Sequence, residues 1–262
     1  MLVDKITKLG RYFLAIPMVV FGIQHFLYAD FIVHLVPAWI PGGLFWTYLA
    51  GAALFAAGLG IVINVVSRLA ATLLGSMISI WVVLLHIPRV FQFPGDSEFI
   101  NVFNALFILS GAYLLSASLP GKAYLKQICM WGAKLSPYLI AVSLTVFGIE
   151  LFIHGKLIFI VGARPYEISG EAFLIYFTGI IFFGAAIAIL FAKSVRTMAA
   201  LLGLYIFFIT VIFYLPLLWT NIYDAQAWAT FLKGIAMSGS AFILSRETAK
   251  EGTAVLKESI PF

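Results

Sequence analysis

Residues 196–219 read RTMAALLGLYIFFITVIFYLPLLW, and after Arg196 the run carries no charge. A helix needs about 20 mostly apolar residues to cross the hydrocarbon core of a bilayer. In lipid every backbone polar group must be satisfied internally, so a spanning segment is a helix or a strand of a closed barrel. This run is too long and too uniformly apolar for the alternating pattern of a barrel strand. It reads as a transmembrane helix.

Working outward, seven further apolar stretches have the same character: 11–28, 45–64, 68–88, 99–118, 137–155, 172–191 and 227–244. The chain of 262 residues is 63% hydrophobic and 10% charged. Soluble domains are about one-quarter charged, so an ordinary soluble domain is excluded. The expected fold class is an all-α polytopic membrane protein with eight transmembrane helices. Lys5, Lys8 and Arg11 precede the first run, but no small-residue cleavage site followed by a polar mature domain appears, so that run reads as a retained helix. The single cysteine, Cys129, excludes an internal disulfide and a CxxC centre. It reads as a small residue in an interfacial connector.

The net charge of +5 is explained by topology, with no need for nucleic acid as a partner. One set of connections holds Lys5, Lys8, Arg11, Arg68, Lys122, Lys126, Lys134, Lys193, Arg196, Arg246, Lys250 and Lys257. The opposite set holds Arg89, Lys156, Arg164 and Lys233, and also the acidic residues Asp30, Asp96, Glu98, Glu150, Glu167, Glu171 and Asp224. The positive-inside bias predicts that the first set, with both termini, faces the cytoplasm. The external connections 29–44 and 156–171 are longer, apolar or aromatic, and rich in Pro and Gly. Leu35, Val36, Trp39, Ile40, Phe45 and Trp46 are expected at the interface or folded back into the bundle.

The chain repeats itself. Val20-Phe-Gly-Ile23 returns as Val146-Phe-Gly-Ile149, and Tyr48-Leu-Ala-Gly51 as Tyr176-Phe-Thr-Gly179. Arg68-Leu-Ala-Ala71 meets Arg196-Thr-Met-Ala199, Pro88 meets Pro216, and Ser110-Gly111 meets Ser238-Gly239. The expected organisation is a four-helix repeat over 1–118, an amphipathic surface linker over 119–136, a second repeat over 137–245 and a cytoplasmic tail over 246–262. An even number of spans per half makes the repeats parallel, related by an axis along the membrane normal. Gly51, Gly179, Gly111 and Gly239 permit close helix contact. Pro88 and Pro216 are expected to end helices or open a cavity at the external face.

The run Gly22-Ile-Gln-His25-Phe26, then Val36-Pro37-Ala-Trp39-Ile-Pro41, Tyr48-Leu-Ala-Gly51, Gly58-Leu-Gly60 and Arg68-Leu-Ala-Ala71 resembles the DoxX-like family of four-helix membrane proteins. The second half keeps Phe-Gly-Ile, Tyr-x-x-Gly and Arg-x-x-Ala, but has Leu151 where His25 stands and lacks Val-Pro-x-Trp-x-Pro. The chain thus looks like a fused pair of such units with the second diverged. The resemblance implies a bacterial inner-membrane protein. It also implies a place in quinone-linked redox or thiol-stress complexes, with a membrane or soluble partner carrying the electron chemistry.

Ionisable groups inside spans are costly and mark candidate sites. They gather towards the external ends: Gln24, His25 and Tyr28 on the first helix, His86 and Arg89 on the third, Asn101 and Asn104 on the fourth, Glu150 and His154 on the fifth, Lys233 on the eighth. Glu150 and His154 are spaced i,i+4 and His86 and Arg89 i,i+3, so each pair shares a helix face. His25, His86, Arg89, Glu150 and His154 are the candidate ligand-binding residues. They would line a vestibule between the halves, with Glu150 countered by Arg89, Lys233 or a protonated histidine. A quinone head group or a small anion would bind there, and the histidines would move protons. The alternative for each residue is a helix-end group bonded to water, lipid phosphate or a loop carbonyl, as snorkelling cations often are. No metal or nucleotide motif is present in the sequence. Three functions remain open: a quinone-linked membrane redox component, a non-enzymatic binder or transporter of a small hydrophobic or anionic ligand, and an assembly subunit.

Overall fold

The computed structural model describes residues 8–37, 39–92, 96–120, 125–154, 171–191 and 195–258. Among these, eight helices are long and apolar enough to cross a membrane, and the protein is an all-α, polytopic membrane protein. The helices are α1 (Gly10–Leu27), α2 (Gly43–Val62), α3 (Ser67–Gln92), α4 (Asp96–Ser118), α5 (Lys126–His154), α6 (Glu171–Phe191), α7 (Val195–Thr220) and α8 (Ala225–Glu258). Large apolar side chains cover the outside, with Phe191 81% and Phe91 80% exposed. A soluble monomer does not sustain apolar patches of that extent, whereas lipid is a good solvent for them. The connector up to residue 170, with Lys156, Arg164 and Glu167, lies outside the described residues. So do Lys5, Lys122 and Lys193, and the side chains of Asp96, Lys126, Glu171, Lys250 and Lys257.

Lipid tails are as apolar as leucine, so helices associate in a bilayer through close packing and hydrogen bonds. Small residues set the register. On the first pair, a Cβ added at Gly22 would lie 2.7 Å from the Gly51 carbonyl oxygen, and one at Gly58 would lie 2.7 Å from that of Ala15. These contacts run α1 and α2 antiparallel. Tyr113 of α4 lies against Gly75 of α3, and Ser136 of α5 donates to the Ser110 carbonyl of α4 at 3.1 Å. Ser238 of α8 donates to the Gly203 carbonyl of α7 at 2.7 Å. Gly239 of α8 meets Gly10 and Leu14 of α1. In contrast, α4 and α8 run parallel: Asn101 faces Lys233, and Gly111 lies against Ser240 further along. These two helices are the most enclosed of the eight, so the last helix of each half sits at the centre.

The main helix contacts correspond when the halves are exchanged. The α1–α2, α2–α3 and α3–α4 contacts correspond to α5–α6, α6–α7 and α7–α8, and α4–α5 corresponds to α8–α1. Individual contacts correspond as well. Phe26 stacks on Tyr48 with centroids 5.6 Å apart, and Phe152 packs on Tyr176 at 5.7 Å. Phe26 also covers Gly51, as Phe152 covers Gly179.

Two expectations change. Residues 126–136 are the opening turns of α5 rather than a separate surface segment. Cys129 and Ser136 on one side of those turns are buried against α4, where the thiol contacts Ser116 Oγ at 2.7 Å and Thr72 Oγ1 at 3.2 Å. Trp131 on the other side is exposed. Nor do the repeated prolines end their helices, since α3 runs on to Gln92 and α7 to Thr220. Proline clashes with the carbonyl four residues earlier. For Pro88 that carbonyl belongs to Leu84, which lies inside a π-helical turn over Val82–His86. The wider turn gives the ring room without breaking the helix.

Candidate functional site

The end of the bundle opposite the chain termini carries the polar groups, which are built mainly on α3, α4 and α8. The π-helical turn of α3 ends at His86, and Arg89 follows about one turn later. Arg89 forks onto Glu98 at the start of α4, with Nη2–Oε1 at 2.8 Å and Nε–Oε2 at 3.2 Å. Such two-point guanidinium–carboxylate pairing fixes geometry as well as charge. Both side chains are about four-fifths buried, at 20% and 17% exposure. The third Arg89 nitrogen, Nη1, donates to the His34 carbonyl at 3.3 Å. That bond ties the connection after α1, which holds the short helical turns Ala29–Ile32 and Val33–Leu35, to α3.

Lys233 reaches this cluster from α8, in the second half, and its Nζ donates to Asn101 Oδ1 at 3.1 Å. An ammonium has three donors, and among the described residues Asn101 is its one hydrogen-bond partner. His86 lies within the field of Glu98, Lys233 and Arg89, and its Nδ1 is buried without a hydrogen-bond partner. A buried polar group left unpaired in apolar surroundings costs on the order of 1–3 kcal/mol. The network thus has unused capacity beside Lys233 and at His86, in the region where the central helices α4 and α8 meet.

The remaining candidates stand elsewhere. His25 Nδ1 contacts the Phe21 carbonyl oxygen at 2.7 Å, and the ring stacks on Trp81 with centroids 6.5 Å apart. Its Cβ fills the space left by Gly51, where an added Cβ would come within 2.5 Å. Glu150 and His154 meet on α5, with Oε2 and Nδ1 2.8 Å apart and the carboxylate side chain 11% exposed. The contact is close but poorly directed, so Oε2 has an imidazole neighbour without a well-aligned hydrogen bond. Of the expected partners for Glu150 the structure therefore supplies histidine, while Arg89 takes Glu98. The i,i+4 and i,i+3 spacings identified which residues share a face. They did not identify Glu98 as the partner of Arg89, because that pairing depends on how α3 and α4 face each other across their connection. Among the described residues no three His, Cys, Asp or Glu side chains gather in a way that could hold a metal ion.

Compared with family models, with curated proteins and with solved structures, the chain matches none.

Proposed function

We propose that this chain is a DoxX-like membrane protein that binds a small ligand bearing an anionic or carbonyl oxygen between its two halves, as a binder rather than an enzyme in its own right. The observation that carries the reading is the incomplete network of Lys233 and His86. A cation in an apolar span is expensive unless it serves a site. Here it donates to a neutral amide with the Glu98 carboxylate in its field, and it leaves donors for an incoming oxygen, which a quinone head group or a small anion would supply. Gly22, Gly51 and His25, which carry the family resemblance, act as packing devices on α1 and α2. Cytoplasmic termini are supported by the bias of basic residues towards the terminal face, and a bacterial inner membrane by the family resemblance. In a redox complex this chain would hold the quinone while a partner supplied electrons, because its one thiol, Cys129, is buried against Ser116 and Thr72.

Titration of the purified full chain by calorimetry, with a short-chain benzoquinone and separately with inorganic phosphate, tests the reading. Saturable binding of one of them, lost in Lys233→Met and in His86→Phe while both variants keep the wild-type melting temperature, is expected. Absence of binding, with both substitutions tolerated in cells, would overturn it and favour a purely assembling role.

A further inference from the structure

A second site lies nearer the terminal face, on the lipid-facing side of α3, α4 and α5. Val82 and Val83 of α3, Leu109 and Tyr113 of α4, and Trp131 and Leu135 of α5 enclose a groove of ≈ 510 Å³. That size falls within the range of about 300–1,000 Å³ typical of small-molecule sites. Along α5 it runs from Gln127 to Leu139, about 18 Å at the rise of an α-helix and thus about half the hydrocarbon thickness. Val83, Trp131 and Leu135 are exposed on its rim, so it opens sideways to the membrane. Its floor holds Tyr113, whose ring lies between Gly75 and Gly132 and whose hydroxyl is 3.3 Å from Ser79 Oγ and 3.4 Å from Ser76 Oγ.

The other half shows what this space is missing. By the repeat register Ser79 corresponds to Phe207 and Leu139 to Phe13. At the matching seam, where α1 meets α7 and α8, those two rings stack with centroids 5.2 Å apart, and Phe13 also packs on Phe242 at 5.9 Å. Among the described residues the second seam carries these rings, with Ala241 where the first has Tyr113. The first has a serine and a leucine there, and a groove. Close packing is what holds membrane helices together, so an apolar groove at this depth is a place for something else to pack. A charge beside its rim names the occupant: Lys134, next to Leu135 and about midway along the α5 edge of the groove, lies with Nζ 5.6 Å from the centre of the Trp131 ring, and a cation beside a rim tryptophan suits an anionic headgroup.

We propose that this groove binds one anionic phospholipid, with an acyl chain along Leu139, Leu135 and Val83 in place of the missing rings and the phosphate at Lys134. The site is separate from the polar cluster at the opposite end and does not depend on its ligand. Writing the filled seam into the open one, as Ser79→Phe with Leu139→Phe, tests it. Delipidated full-length protein is titrated with phosphatidylglycerol or phosphatidylcholine and read by native mass spectrometry, with melting temperature as the control for folding. Wild type should hold one phosphatidylglycerol per chain. The double variant should melt no lower than wild type and bind that lipid about tenfold more weakly, and Lys134→Glu should abolish the preference for phosphatidylglycerol. Should the double variant fail to fold, Leu135→Trp on the rim serves in its place. Equal retention by wild type and a folded filled variant would overturn the site, and equal binding of the two lipids by wild type would overturn the headgroup assignment.

Discussion

The two halves share a packing scheme and differ in their polar groups. Gly22 beside Phe55 and Gly51 beside Phe26 return as Gly148 beside Phe183 and Gly179 beside Phe152. At the ends away from the termini, however, the same positions carry different chemistry. His86, Arg89 and Glu98 of the first half correspond to Tyr214, Leu217 and Gln226 of the second, while Gln24 and Tyr28 correspond to Glu150 and His154. Each half has a carboxylate paired with a basic side chain where the other has neither, Arg89 with Glu98 and Glu150 with His154. The contacts that hold the helices together constrain both copies, and polar groups at the helix ends are freer to diverge. The candidate site groups therefore stand where the halves differ, and the shared packing contacts where they agree.

Moving residues between the halves tests this comparison. The largest effect is expected at the Arg89–Glu98 pair. Arg89→Leu alone leaves a largely buried carboxylate without its two-point partner, with Lys233 still in its field, and should cost up to about 3–5 kcal/mol. Adding Glu98→Gln, which copies the second half, should recover most of that in thermal or denaturant unfolding in detergent. A double variant as unstable as the single would mean that the pair does not act as a unit. Next comes Gln24→Glu, which places a carboxylate at a buried position of α1 and should cost about 2–3 kcal/mol. Tyr28→His should rescue it if Glu150 and His154 form a transferable pair, and no rescue would show that α5 supplies more than spacing.

The glycines should separate the halves by a smaller margin. A Cβ at Gly22 meets the backbone of Phe55 at 2.6 Å and of Gly51 at 2.7 Å, whereas one at Gly148 meets the ring of Phe183 at 2.9 Å. Backbone cannot yield and a ring can turn. Gly22→Ala is expected to cost about 1–3 kcal/mol by overpacking, with Gly148→Ala clearly milder; equal losses would contradict the difference in closeness. The smallest effect is expected for Glu150→Gln. His154 is about one-third exposed and pairs at this exposure contribute under about 1 kcal/mol, so the melting temperature should hardly move.

Much of this was legible in the residues. The run over 196–219 appears as α7 within a residue at each end, because a bilayer leaves an uncharged stretch of that length one conformation. The recurrence of Gly, Pro and Tyr at fixed spacing pointed to the corresponding Phe26–Tyr48 and Phe152–Tyr176 contacts. The α5 boundary was not: Lys126, Trp131 and Lys134 have the polarity of a surface segment, while burial of Cys129 and Ser136 against α4 makes the same residues helix. The site was half legible. His86 and Arg89 could be placed on one face, but Lys233 joins them only because α4 and α8 run side by side, 132 residues apart in sequence at the Asn101 contact.

By itself the sequence determined the number of spans and their helical form, and it pointed to a doubled chain with candidate ionisable groups gathered away from the termini. These follow from hydropathy and spacing, which are properties of residues along a line. Tertiary structure decided that α4 and α8 meet at the centre, that Arg89 closes on Glu98, and that Ser79 and Leu139 leave a groove where Phe207 and Phe13 close one. Those depend on which helix faces meet. In a bilayer that choice turns on shape and a few hydrogen bonds, because one apolar surface is as compatible with lipid as another.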